Sequence, residues 1–216
     1  NTFSQISRQA EVLIRTQTAT DAQRTVDPKP IPAMTSSLSD DTLNPLLRFY
    51  QTRGIELPRV RSLTGDELPE PAHHLLRHDS DMTSKLEAFH GEEISLNVLH
   101  ELRSGTWYYR EVVLRGKHSE IPFEYGAIEI SLTNFPDDVR KGILQGVRPL
   151  GGILVEAGVA FNCQPTGYFA IDVNESIKNA LELIGSPRLY GRVNRLFVPG
   201  REDLAHVVEI LPPAQD

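Results

Sequence analysis

The chain is poor in the residues that usually announce a chemistry. Its 216 residues include one cysteine, one tryptophan and two methionines. A single cysteine, Cys163, can close no intrachain disulfide, so a reducing compartment and a cytoplasmic protein are expected. Cys163 lies in Ala160-Phe161-Asn162-Cys163-Gln164-Pro165 with no histidine close by, which fits a small packed or loop residue better than a nucleophile. No run approaches the roughly 20 apolar residues that span a membrane. The chain starts at Asn1 without a methionine, and its first segment lacks the apolar stretch of a signal peptide, so a trimmed or partial chain is expected. There is no basic run of five, and the net charge is −7. A footprint on nucleic-acid phosphates is disfavoured.

Several motifs are missing as well. There is no Gly-rich phosphate loop and no Gly-x-Ser-x-Gly elbow. Of the seven histidines, His73, His74 and His78 cluster near Asp79 and Asp81, but none makes the His-x-x-x-His helical pair of zinc catalysis. No metal and no cofactor is expected.

What remains is enough apolar sequence, 39%, for one ordinary domain plus an extra segment. Residues 1–40 are rich in Thr, Ser, Gln and Asp and carry Pro28, Pro30 and Pro32. They read as a flexible or loosely docked extension to a domain over 41–216. Asp41 and Thr42 can cap a helix through Tyr50, with Pro45 in its first turn. Residues 52–71, with Gly54, Pro58, Gly65, Pro69 and Pro71, read as a connector. Ser84 and Glu87 have capping-box spacing for a short helix to about His90. Strands are predicted over 93–102, 106–115, 122–132, 166–173, 188–198 and 204–211. Helices are predicted from Pro136 to about Leu144, from Pro149 onward, and over 175–184. Hairpins with inserted helices indicate an antiparallel α+β domain.

Two charges stand out within this pattern. Arg110 shares a strand face with Tyr108, Val112 and Leu114, and Glu209 shares one with Val207 and Leu211, because strand side chains alternate. A charge on an inward face is costly unless it is paired or holds a ligand. Two readings follow. One is a buried Arg110–Glu209 salt bridge; the other is a small internal site with an anion-binding end and a hydroxyl- or proton-binding end.

Four patches resemble the chorismate–pyruvate lyases, which form 4-hydroxybenzoate and pyruvate from chorismate. They are Leu75-Leu76 with Asp79-Ser80-Asp81-Met82-Thr83; Trp107 through Leu114; Arg148-Pro149-Leu150-Gly151; and Leu189-Tyr190-Gly191-Arg192 through Val208-Glu209-Ile210-Leu211-Pro212. They span about residues 75–213, and Glu87-Ala88-Phe89-His90-Gly91 marks a divergent branch. The resemblance implies a chorismate-lyase-like α+β fold, with an antiparallel β-sheet and inserted helices enclosing an internal ligand cavity. It also implies a carbon–oxygen lyase needing no cofactor, with chorismate as substrate and 4-hydroxybenzoate as product, feeding a quinone or another secondary metabolite. Arg110 and Glu209 would be catalytic, gripping the ring carboxylate and the ring hydroxyl. Met82, Thr83, Leu150 and Arg192 would bind substrate.

There are departures. The lyases place an Arg after the Gly of their third strand, where Ala127 follows Gly126 here, which leaves Arg192 or Arg195 as candidates for the second carboxylate of chorismate. Asp81 is an extra residue before Met82. The alternative is a non-catalytic aromatic-acid-binding domain, as in the effector domains of bacterial transcription regulators that share the fold. Against a regulator, residues 1–70 show no basic helix-turn-helix pattern. The oligomeric state is left open.

Overall fold

The computed structural model describes residues 43–214. The extension expected over 1–40, and the caps expected at Asp41 and Thr42, lie outside the described residues. Seven strands form one antiparallel sheet: β1 (Val60–Leu63), β2 (Ile94–Ser104), β3 (Trp107–Gly116), β4 (Pro122–Ser131), β5 (Asn162–Ile171), β6 (Leu189–Phe197) and β7 (Asp203–Leu211). Their spatial order is β1-β5-β6-β7-β4-β3-β2. Two tight hairpins, turning at Gly105 and at Gly200 with positive φ, join β2 to β3 and β6 to β7. Strand β4, interior to the sheet between β7 and β3, is buried at every residue, as expected of a strand covered on both faces.

One face is covered by α1 (Asn44–Thr52) and α6 (Glu175–Ala180). Leu46, Phe49 and Tyr50 of α1, with Ile177 of α6, pack on Tyr109, Val113, Tyr125, Ala127, Val208 and Ile210. The apolar stripe of α1 explains its docking, and Pro45 in its first turn leaves no helical bond unmade. The other face carries two separate clusters. Toward one end, α2 (Ala72–Leu76) and α3 (Met82–His90) pack Leu76, Met82 and Leu86 on Leu114 and Leu211. Toward the other, α4 (Asp137–Leu144) and α5 (Leu150–Glu156) pack Ile143, Leu150 and Leu154 on Tyr108, Ile130 and Leu196. Each fully buried Leu or Ile contributes about 2–3 kcal/mol through apolar area removed from water. The two clusters are separate, and the space between them holds the site.

The structure differs from the sequence reading at several boundaries. The connector 52–71 contains β1, which pairs along β5 at the sheet edge. It is too short to show an alternating pattern. Helix α2, at five residues, is likewise too short for a helical period to show. Helix α3 begins at Met82, with Asp81 as its N-cap: the Asp81 side chain accepts from Ser84 N at 2.9 Å. Ser84 therefore lies inside the helix, and Glu87 accepts from Ile94 N at 3.0 Å instead of closing a capping box. Strand β5 starts at Asn162, because a register shift between Pro165 and Gly167 lets pairing continue past the proline. Helix α6 ends at Ala180, before Glu182, whose φ is +54°.

Candidate functional site

The cavity lies on the α2–α5 face of the sheet, with an empty volume of about 590 Å³, its open mouth included. Its floor comes from alternate residues of four strands: Arg110, Val112 and Leu114 of β3, Glu124 and Ile128 of β4, Asn194 and Leu196 of β6, and Val207 and Glu209 of β7. Its roof comes from Met82 and Thr83 at the start of α3 and from Pro149, Leu150 and Gly151 at the start of α5. Asp81, Leu96 of β2 and Cys163 of β5 complete the lining. A wider open depression outside shares Asp81, Thr83, Leu96, Pro149 and Gly151 with it and leads to solvent.

Arg110 sits at the α5 end. It is 2% exposed. Its Nη1 donates to the Arg148 carbonyl at 3.2 Å, while its Nε finds no partner. Among the described residues it forms no ion pair. Burial pulls its pKa down from the usual arginine value, with the charges of Tyr108 and Glu101 opposing. A guanidinium that stays charged while buried and unpaired is an anion site in waiting.

Glu209 has a partner already. Arg192 stands directly opposite it across the β6–β7 ladder, fully buried, and its Nε donates to Glu209 Oε2. Arg192 Nη1 also donates to the carbonyls of Leu76 (3.0 Å) and His78 (2.9 Å). These bonds tie the α2 end to the sheet. The half-buried His78 is held down to about pH 4, first by burial and then by the Arg192 charge. Arg192 therefore stands behind Glu209 and does not line the cavity.

Glu124 is the residue that sequence reading passed over. It is buried, its Oε2 has no hydrogen-bond partner, and burial first and the Glu209 charge second raise its pKa well above the usual carboxylate range. The side chain lies along the strand toward Glu209. A Cβ placed on Gly126, the register partner of Glu209, would come within 3.2 Å of Glu124 Oε1. The signal was present: Glu124 shares its face with Gly126, Ile128 and Ile130, the same anomaly that drew attention to Arg110. Asn194 also lines the cavity with an unpartnered Oδ1, and it weakly favours the charged form of the neighbouring Cys163 thiol. That thiol is pushed up to about 11, mainly by burial and then by Glu209, so it is protonated and poorly nucleophilic.

Of the other sequence candidates, Met82, Thr83 and Leu150 line the cavity. Arg195 lies toward the surface, bonded to Gln164 at 2.9 Å and stacked on Phe197. Ala127 belongs to the core under α1, on the opposite face, so a longer side chain there would not enter the cavity from the strand. No group of three metal-ligating side chains occurs among the described residues, and no helix among them is long and apolar enough to cross a membrane.

No family model matches the chain, and no curated protein matches it. Solved structures do. The effector domain of PhnF from Mycobacterium smegmatis aligns at 10% identity over 62% of this chain and 88% of that one, with a TM-score of 0.50. A structure of PhnF itself aligns at 12% identity over 97% of this chain and 93% of that one, also at 0.50. The ligand-binding domain of a Bordetella bronchiseptica protein assigned to the GntR regulator family aligns at 14% identity over 56% and 86%, at 0.44. The likeness is one of fold. These effector domains share the chorismate-lyase fold, and the α+β class with an antiparallel sheet is as expected from the sequence.

Proposed function

We propose that the cavity binds a small carboxylic acid bearing a hydroxylated ring, with the carboxylate on Arg110 and the ring between the apolar side chains of Leu114, Ile128, Leu150 and Leu196. One observation carries this. Buried polar groups are almost always hydrogen-bonded, yet Arg110 Nε, Glu124 Oε2 and Asn194 Oδ1 all lack partners and all belong to residues lining one cavity. Unmade bonds gathered in the residues around one cavity are what a polar ligand, with small side-chain adjustments, would satisfy. An effector-type, non-catalytic binding domain is the reading that the PhnF likeness supports. Titration calorimetry with 4-hydroxybenzoate tests it: binding by the wild type and loss of at least a hundredfold in Arg110→Met are expected. No heat with either protein would sink it.

A second reading, chorismate pyruvate-lyase, is favoured by a different observation. The four patches resembling the lyases are distant in sequence, yet each supplies lining residues to this cavity: Met82 and Thr83, Arg110, Leu150 and Gly151, and Glu209. In that reaction the ether C–O bond breaks, the ring loses a proton and aromatises, and the departing enolpyruvate takes up a proton to give pyruvate. The protein would orient the ether and stabilise the developing anion. Incubation with chorismate, followed by chromatography of 4-hydroxybenzoate and pyruvate, separates turnover from binding alone.

A further inference from the structure

We infer that Glu124 reads the ligand's hydroxyl group: as a neutral carboxylic acid it donates a hydrogen bond to the oxygen on the ring, and so selects hydroxylated over unsubstituted or amino-substituted aryl carboxylates. This rests on the binding reading above and goes beyond it, since Glu209 was the residue expected to meet the hydroxyl.

The geometry turns the assignment from Glu209 to Glu124. Glu209 Oε2 is held by Arg192, the residue opposite it in the ladder. That pair is neutral as a whole, and Arg192 is fixed by two backbone carbonyls. Glu124 stands next to it over Gly126, with no cation of its own and an oxygen left unbonded. One arginine cannot balance two adjacent buried carboxylates, and like charges at close range cannot both ionise. The second carboxyl keeps its proton. An O–H in a dry cavity needs an acceptor, and Arg110 marks the other end of the same cavity as the carboxylate end. A ring oxygen distal to the carboxylate supplies that acceptor. An aromatic amine does not, because its lone pair is delocalised into the ring.

The test compares benzoate, 4-hydroxybenzoate and 4-aminobenzoate by calorimetry on the wild type, Glu124→Leu and Glu124→Gln. The wild type is expected to prefer 4-hydroxybenzoate over both others by about tenfold, the worth of one net hydrogen bond. Glu124→Leu should lose the preference and bind all three alike. Glu124→Gln, whose amide N–H replaces the acid O–H, should restore the preference. If Glu124→Leu keeps the wild-type preference, the inference fails while the pocket reading stands; if the wild type binds no aryl carboxylate, both fail. A wild type that binds 4-aminobenzoate as tightly as 4-hydroxybenzoate overturns the donor role without any variant having to fold. Infrared spectroscopy adds a direct readout, since the carbonyl band of a protonated carboxyl should be present in the wild type near neutral pH and absent in Glu124→Gln.

Discussion

Glu209 is paired with Arg192, its direct neighbour across the ladder, and not with Arg110. The two charges that looked like partners in the sequence are therefore independent, and they have opposite consequences for stability. Removing the Glu209 carboxylate leaves the Arg192 guanidinium fully buried without its direct ion-pair partner. Breaking one side of such a pair costs about 3–5 kcal/mol, whereas replacing both sides with apolar groups is often neutral. Chemical denaturation of Glu209→Leu should show a loss of that size, and Glu209→Leu/Arg192→Met should recover most of it. An equal loss in both proteins would mean that the Arg192 bonds to Leu76 and His78 hold the site, not the ion pair.

Arg110 is predicted to behave in the reverse way. It is buried with no ionic partner among the described residues, so the proposed anion site burdens the free protein with a desolvated charge. Arg110→Met keeps the length of the side chain and removes that charge. The variant should be more stable than wild type by about 1–2 kcal/mol in thermal or urea unfolding, while its affinity for aryl carboxylates collapses. Added 4-hydroxybenzoate should then raise the melting temperature of the wild type and leave Arg110→Met unmoved.

Glu124 sets a pH signature. Its folded pKa lies above the unfolded carboxylate value, so the folded protein binds the extra proton. Stability therefore falls as pH rises from about 4.5 through the folded pKa, the reverse of the usual salt-bridged carboxylate. Glu124→Gln removes this dependence. The variant should match wild type near pH 4.5 and exceed it progressively at neutral and higher pH, measured as the difference in denaturation midpoints across the range. A constant difference at every pH would show that the carboxyl is ionised in the fold.

Much of this site could be read before the structure. Period-two alternation put Arg110 with Val112 and Leu114, and Glu209 with Val207, on faces that do meet at one cavity. Alternation reports the face and nothing about the neighbour, because pairing across a ladder depends on strand order. The order β6-β7-β4-β3 places Arg192 beside Glu209 and puts a whole strand between Glu209 and Arg110. Alternation does decide the case of Ala127, which lies on the face away from the cavity. It follows a cavity-side glycine, and one step along a strand reverses the face. Strand β1 and helix α2 went unread because four or five residues are too few for a period, and their positions are set by the edge of β5 and by Arg192 bonding to Leu76 O.

Asp81 looked in the sequence like an insertion that spoiled a motif, and the structure gives it a job. As N-cap of α3 it accepts the Ser84 amide at 2.9 Å, and the same residue borders the cavity. The cap fixes where the helix begins, and so where Met82 and Thr83 sit over the ligand space. Asp81→Ala should cost about 1 kcal/mol of stability through the lost cap. Asp81→Ser or Asp81→Asn should restore it, since either side chain can accept the same bond. Ligand affinity should follow the cap and not the charge: weaker in Asp81→Ala and near wild type in Asp81→Asn. Affinity lost equally in both variants would instead make Asp81 a direct electrostatic contributor to the site, a result that calorimetry on the three proteins would show at once.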